Sequence, residues 1–374
     1  MKTLLGILLL VVVPSTASAA DCGAPAAMAD GWTIARPEDA GIDPGKLCEL
    51  DKFLEQWPQR NIHAVVVARR GRLVMERYYS GADERWGDKI GVIQFAPDVR
   101  HDVRSVTKSA TSLLVGIALA EGKFPDLDSA VFESFPELAD LRTPEKAGIT
   151  FRHLLTMSSG LAWDENRPFT DPLNSEIGML MAFDPFRYIL AQLLQAPPGS
   201  LYNYSGGGTS LLGETLVRRT GRSLRDYARD KLFGPLDIAD VDWDGVGLSG
   251  KLGAHGTLRL RPRDMAKLGQ LLLVDGQWNG RRVLPVGWAA ESTKPRLLGD
   301  GLFFYGYQWW LGQSLVDGRE VTYTAAVGLG GQRVYVVPEF DLVVAINAGH
   351  YSGPLQTIIP SAILNRLVLP AVKG

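Results

Sequence analysis

Ser105-Val106-Thr107-Lys108 places a hydroxyl and an amine three residues apart at what reads as the start of a helix. Side chains at that spacing share one helix face, so the Lys108 amine can reach the Ser105 hydroxyl and take its proton, leaving a nucleophilic oxygen. A free lysine titrates near pH ~10.4, so burial or neighbouring cations must lower that value before the amine serves as a base near neutrality. A helix N-terminus also aims backbone N–H groups and the positive end of the helix dipole at the site, which stabilises an oxyanion formed there. Taken alone, the four residues recur by chance about once in a chain of this length, and the plain alternative is a serine cap beside a solvated lysine.

A second cluster, Leu201-Tyr202-Asn203-Tyr204-Ser205-Gly206-Gly207-Gly208, sets two phenols in a glycine-rich turn before the apolar Leu211-Leu212. A tyrosine here can shuttle a proton, or simply pack on the turn. Asn203-Tyr204-Ser205-Gly206-Gly207 lacks the first glycine of a Gly-x-Ser-x-Gly nucleophile elbow, which disfavours that serine-hydrolase design. The histidines, His63, His101, His153, His255 and His350, form neither His-x-His nor His-Glu-x-x-His, so no zinc-hydrolase motif is present. His153, within Phe151-Arg152-His153-Leu154-Leu155, reads as a packed helix residue. Gly328-Leu329-Gly330-Gly331 lacks the Lys-Ser/Thr of a phosphate loop and precedes a strand, so nucleotide binding is not supported.

The elements that must position these groups are legible in outline. A helix is predicted over 44–57, then strands at Ala64–Ala68 and Leu73–Tyr79 turning at Arg70-Gly71-Arg72 as a hairpin. Leu113, Leu114, Ile117 and Ala118 keep helical spacing from Ser105 to Glu121, and Gly122 is a stop signal. Residues 123–246 show helical patches broken by Pro and Gly. A helix over 262–273 then leads to strand-like runs at 303–311, 321–325, 332–337 and 342–347, and a final helix near 355–367. Strands at both chain ends with helices between them predict an α+β fold: an antiparallel sheet built from both ends, flanked by helices, with a mostly helical insertion. Residues 21–122 and 247–374 would form the sheet domain and 123–246 the insertion, with the active site between the two.

Lys2, the apolar run from Leu4 to Val13 and Ala17-Ser18-Ala19 make residues 1–20 a signal peptide, cleaved after Ala19 or Ala20 and implying a periplasmic or secreted protein. That run is about ten residues, against about twenty for a spanning helix, so no stable membrane anchor is expected. Cys22 and Cys48 can form one disulfide pinning the N-terminal arm, although spacing does not show that they meet. A net charge of −2, with charges scattered, gives no footprint for nucleic acid and points to a small-molecule partner. Oligomeric state is not encoded in any feature of the chain.

Together these segments resemble the serine β-lactamase and penicillin-binding family, in its class C-like branch of esterases, peptidases and aminohexanoate-dimer hydrolases. Arg104-Ser105-Val106-Thr107-Lys108-Ser109 is similar to the nucleophile motif, and Ile149–Leu161 to the segment that follows in this branch. Tyr204-Ser205-Gly206 resembles the Tyr-x-Asn element, which implies that Tyr204 shares protons with Lys108, but Gly206 stands where the family has Asn. The strand that bears Lys-Thr-Gly falls on Tyr323-Thr324-Ala325, without its Lys. Loss of that cation removes charge-assisted binding of a substrate carboxylate. The resemblance further implies an oxyanion hole from the backbone N–H groups of Ser105 and Ala326, and a substrate pocket with Trp163, Asp164, Gly206, Thr324 and Tyr307. Tyr-Ser-Gly and Trp163-Asp164-Glu165 are similar to the aminohexanoate-dimer hydrolase-like subgroup.

The expected function is therefore hydrolysis of an ester or amide of a small molecule through an acyl-enzyme, needing no metal or cofactor. The rivals are a β-lactamase or D-Ala-D-Ala carboxypeptidase, and a non-catalytic sensor module that keeps the fold.

Overall fold

The computed structural model describes residues 22–373, so the expected signal segment, 1–20, lies outside the described residues. The described chain begins at a disulfide between Cys22 and Cys48, with Cα atoms 5.2 Å apart. After β1 (Thr33–Ile34), Asp43 caps α1 (Pro44–Leu47) by accepting the Gly45 N–H. The helix predicted over 44–57 is two: the chain breaks at the disulfide-bonded Cys48 and resumes as α2 (Leu50–Glu55).

The predicted hairpin is β2 (Ile62–Arg69) and β3 (Arg72–Tyr78), with Arg70 and Gly71 at φ 51° and 70°, the left-handed pair that a tight hairpin turn needs. A second hairpin, β4 (Ser80–Arg85) with β5 (Asp88–Gln94), has no counterpart in the sequence reading. Its β5 strand is almost wholly exposed and lacks apolar alternation. β6 (His101–Asp102) leads into α3 (Val106–Ala120), which is buried at every residue from Val106 to Ala118. That explains why its sequence is apolar or small all round. Gly116 lets α3 lie directly on Trp288, since a Cβ there would come within 2.4 Å of the indole.

Every named element between residues 123 and 246 is helical, chiefly α4 (Phe151–Leu155), α5 (Ser175–Leu180), α6 (Pro185–Ala191), α7 (Gly206–Thr220) and α8 (Leu224–Ala228). Thr150, Asn174, Asp184, Ser205 and Ser223 cap them in turn with side-chain oxygens, which is how such short helices start cleanly. β7 (Arg259–Leu260) pairs with β6, and α9 (Pro262–Leu273) has the predicted bounds. A small hairpin, β8 (Gln277–Trp278) and β9 (Arg281–Arg282), and α10 (Trp288–Ser292) follow.

The C-terminal strands are β10 (Leu297–Leu298), β11 (Phe304–Tyr305), β12 (Trp310–Val316), β13 (Arg319–Gly328), β14 (Gln332–Val337) and β15 (Leu342–Ala348). The run read as one strand over 303–311 is interrupted, because Gln308, at φ 65°, turns its amide into the helical layer. There it donates to the Leu154 and Leu155 carbonyls and accepts from Thr209. α11 (Leu355–Ala362) and α12 (Leu369–Ala371) close the chain.

Nine strands form one sheet in the order β1-β3-β2-β15-β14-β13-β12-β11-β10, antiparallel except for β1 beside β3. The two chain ends meet at the β2–β15 pair. One face packs on α3 and α9 through residues such as Val66, Val334 and Val343; the other packs on α1, α2 and the C-terminal helices through Val65, Val344 and Ile346. Strands covered on both sides are apolar without alternation, which is why β2, β14 and β15 are buried throughout. The fold is mixed α/β, with one large sheet and flanking helices.

Candidate active site

Ser105 stands at the start of α3, and Arg104 before it is held at φ 50°, an uncommon backbone conformation for a residue with a side chain. The Arg104 guanidinium lies over the rings of Trp86 and Tyr351, at 5.2 and 4.9 Å from their centroids, and 3.3 Å from Glu84. The Thr107 hydroxyl donates to the Arg104 carbonyl and accepts the Leu258 N–H. The bend that presents the Ser105 hydroxyl is thus clamped on both sides. One turn on, Lys108 Nζ donates to Ser105 Oγ at 3.0 Å and to the His255 carbonyl at 2.9 Å.

Tyr204 immediately precedes Ser205, the cap of α7. Its ring stacks on Trp310 and lies 4.8 Å from Lys108 Nζ, and the two groups act on each other electrostatically. Burial pushes the Tyr204 phenol up, opposed by Lys108. Burial by itself would depress Lys108, but Tyr204, Glu165 and Glu176 outweigh it and hold the amine above its ordinary value. This corrects the expectation of a lowered lysine: the surrounding groups carry negative charge, and they favour the ammonium form.

Those acids were missed in the sequence. Glu165 Oε2 accepts the Gly206 N–H at 2.7 Å and the Trp163 indole N–H at 2.6 Å. Burial and the Glu176 charge raise the Glu165 carboxyl against the pull of Lys108. Glu176 lies 3.2 Å from His255 Nε2. Burial opposes its charge, but His255, Lys108 and Arg104 prevail and hold it below the ordinary range. The only signal for Glu165 was its place after Trp163-Asp164; nothing local marks Glu176 or His255.

A cavity of about 780 Å³ opens over these groups, with Ser105, Tyr204, Glu165, Trp86, Arg104 and Trp310 in its wall. Of the residues singled out from sequence, Ser105 and Tyr204 line it, and Lys108 is buried behind Ser105. The others lie elsewhere. Trp163 is buried behind Glu165, and Asp164 does not line the cavity but pairs with Arg167, which does. Gly206 spends its N–H on Glu165. Tyr307 is buried against Arg152 and Trp288. Thr324 and Ala326 are buried inside β13, whose Val327 and Gly328 reach the wall instead.

Arg333, on β14, also lines the cavity. It donates to the carbonyls of Gly328, Gln332 and Gln356 and to Thr357 Oγ1. Among the described residues no carboxylate forms an ion pair with it. Among the described residues, three could hold a metal: His63, Asp83 and His101, which the fold gathers together although their spacing forms no motif.

Among the described residues no helix is long and apolar enough to cross a membrane. A family model described as Beta-lactamase matches residues 50–353. The 6-aminohexanoate-dimer hydrolase of Paenarthrobacter ureafaciens is 26% identical over 317 residues, covering 78% of this chain and 74% of that protein. Two solved structures share the fold. EstCE1, a hydrolase with promiscuous acyltransferase activity, aligns with a TM-score of 0.67 at 16% identity over 88% of this chain and 98% of its own. A penicillin-binding protein from Bacillus halodurans aligns with a TM-score of 0.63 at 18% identity, over 84% and 99%.

Proposed function

The chain belongs to the β-lactamase family and is a hydrolase of that fold class, and from this premise we propose that it cleaves an ester or amide of a small molecule through an acyl-enzyme on Ser105. The observation that carries the reading is Lys108 Nζ at 3.0 Å from Ser105 Oγ on the floor of the cavity. The Ser105 O–H bond breaks as Oγ bonds to the substrate carbonyl carbon, and the proton passes to the Lys108–Tyr204 pair. That pair acts as a unit: ammonium with phenolate and amine with phenol hold the same number of protons.

The oxyanion then accepts from the Ser105 N–H at the start of α3 and from a second N–H near Ala326. β12 supports that second position, because its last partner on β13 is Ala325, opposite Trp310, and beyond it β13 is unpaired on that side. Collapse breaks the bond to the leaving group, which Tyr204 protonates, and water releases the acyl group by the reverse proton path.

Arg333 supports a substrate that carries an acid group, a role that the missing Lys of the strand motif would otherwise leave empty. The same cation favours the second reading, a β-lactam or D-Ala-D-Ala substrate. The disulfide at Cys22 supports action in an oxidising compartment, periplasmic or extracellular.

Labelling by a fluorophosphonate should disappear in Ser105→Ala; labelling that persists overturns the nucleophile. Short-chain esters, linear amides and nitrocefin assayed with one preparation separate the two substrate readings.

A further inference from the structure

His63 on β2, Asp83 on β4 and His101 on β6 converge from three strands, and all three are buried. His63 Nδ1 lies 2.8 Å from His101 Nε2, and Asp83 Oδ1 lies 3.7 Å from the same nitrogen. We propose that these three atoms form a binding site for one divalent transition-metal ion of the zinc class, which braces the segment leading to Ser105.

The outer hydrogen bonds of the two rings carry the argument. His101 Nδ1 lies 2.8 Å from the Asp102 carbonyl, which only accepts, so Nδ1 holds the proton and Nε2 is a bare lone pair. His63 Nε2 lies 3.1 Å from Asn61 Oδ1, and the orientation of that amide is set by its nitrogen donating to the Ala82 carbonyl at 2.7 Å. His63 Nε2 is therefore a donor too, and its Nδ1 is bare. Two neutral imidazoles so oriented face each other lone pair to lone pair with no hydrogen between them.

A cation is the group that resolves this contact, and an imidazole whose far N–H is fixed on a carbonyl or amide oxygen is the usual form of a metal-bound histidine. Asp83 supplies the hard anionic donor, itself oriented by the Tyr351 hydroxyl at 2.6 Å. Two imidazoles and a carboxylate are a donor set suited to zinc. At a metal–nitrogen distance of about 2.05 Å a tetrahedral ion needs the nitrogens about 3.3 Å apart, so the rings have only to part by about half an ångström.

An extra proton is the competing bridge. Both rings are fully buried, where a positive charge is disfavoured. Packing keeps the rings from turning their lone pairs away from each other. His63 is stacked on Phe95 at 4.2 Å, and a Cβ on Gly81 would come within 2.5 Å of His63 Nε2.

The position gives the ion a structural role. His101 is three residues before Arg104, and Tyr351 joins Asp83 to the Arg104 guanidinium. A metal here ties the β4–β5 hairpin, which carries Trp86, to the strand that delivers the nucleophile.

The test uses protein without a polyhistidine tag, stripped with EDTA and titrated with zinc chloride in a calorimeter. One equivalent of zinc should bind, and at a hundredfold excess over Kd the melting temperature should rise by about 5 °C. His63→Gln and Asp83→Asn should each lose both effects. Folded protein that takes up no zinc overturns the proposal in favour of the shared proton, and so does equal binding by wild type and both variants. Should a variant fail to fold, zinc-edge X-ray absorption on the loaded wild type decides: two imidazoles with oxygen support the site, and any shell without imidazole overturns it.

Discussion

Glu165 Oε2 accepts the Gly206 N–H at 2.7 Å, which fastens a carboxylate in the cavity wall where its charge acts on Lys108. That carboxylate changes the electrostatics of the Lys108 amine. Glu165 and Glu176 both favour the Lys108 ammonium, against the desolvation that would otherwise release its proton.

The pH dependence follows from that sign. Lys108 has its value raised, so the reactive, once-deprotonated form of the Lys108–Tyr204 pair is gained as pH rises through that value, on the alkaline side. Glu165→Gln removes a negative charge while its amide oxygen can still accept from Gly206 and Trp163. The alkaline arm of kcat/KM for a nitrophenyl ester should then move to lower pH. An unmoved or upward-shifted arm would mean that Glu165 does not act on Lys108.

Lys108→Ala and Tyr204→Phe should lower kcat/KM by about 10²- to 10⁴-fold each, the range for loss of a positioned proton-transfer group. Because the two side chains share one proton, the double variant should lose far less than the product of the single losses. Pre-steady-state acylation read by release of nitrophenol checks this. Full multiplicativity would mean that they act separately.

How much of this site could be read from sequence depended on locality. Ser105 and Lys108 are three residues apart, and helical spacing alone puts them on one face. Trp163, Asp164 and Tyr307 were implied by the family resemblance, and none lines the cavity: one indole serves Glu165, one carboxylate pairs with an exposed arginine, and one phenol is core. Arg333 and the His63–Asp83–His101 group depend on which strands are neighbours, which no local pattern encodes. The β4–β5 hairpin escaped because polar, exposed strands carry no hydrophobic period.

Arg333→Met keeps an unbranched side chain but removes the cation. For an ester bearing a terminal carboxylate KM should rise by about 10-fold, the worth of a partly screened attraction from a guanidinium whose own N–H groups are already engaged. For the neutral ester of equal length it should change little. Equal effects on both would assign Arg333 to holding β14 and α11 together through Gln356 and Thr357 instead.

Gly207 tests how tightly α7, the helix that begins just after Tyr204, is docked. A Cβ at this residue would lie 2.6 Å from Trp163 Cη2 and 3.1 Å from Ile189 Cγ1, inside a wall that is buried on every side. Gly207→Ala gains helix propensity of about 1 kcal/mol, but overpacking of a closed core costs about 1–3 kcal/mol. The indole cannot retreat without stretching its 2.6 Å hydrogen bond to Glu165, so the clash should win and also loosen the carboxylate. Urea unfolding should show a net loss of up to about 2 kcal/mol. Since Glu165 favours the Lys108 ammonium, the same variant should move the alkaline arm of kcat/KM downward, in the direction of Glu165→Gln. A more stable Gly207→Ala protein with an unchanged pH profile would show that Trp163 does not position the acid.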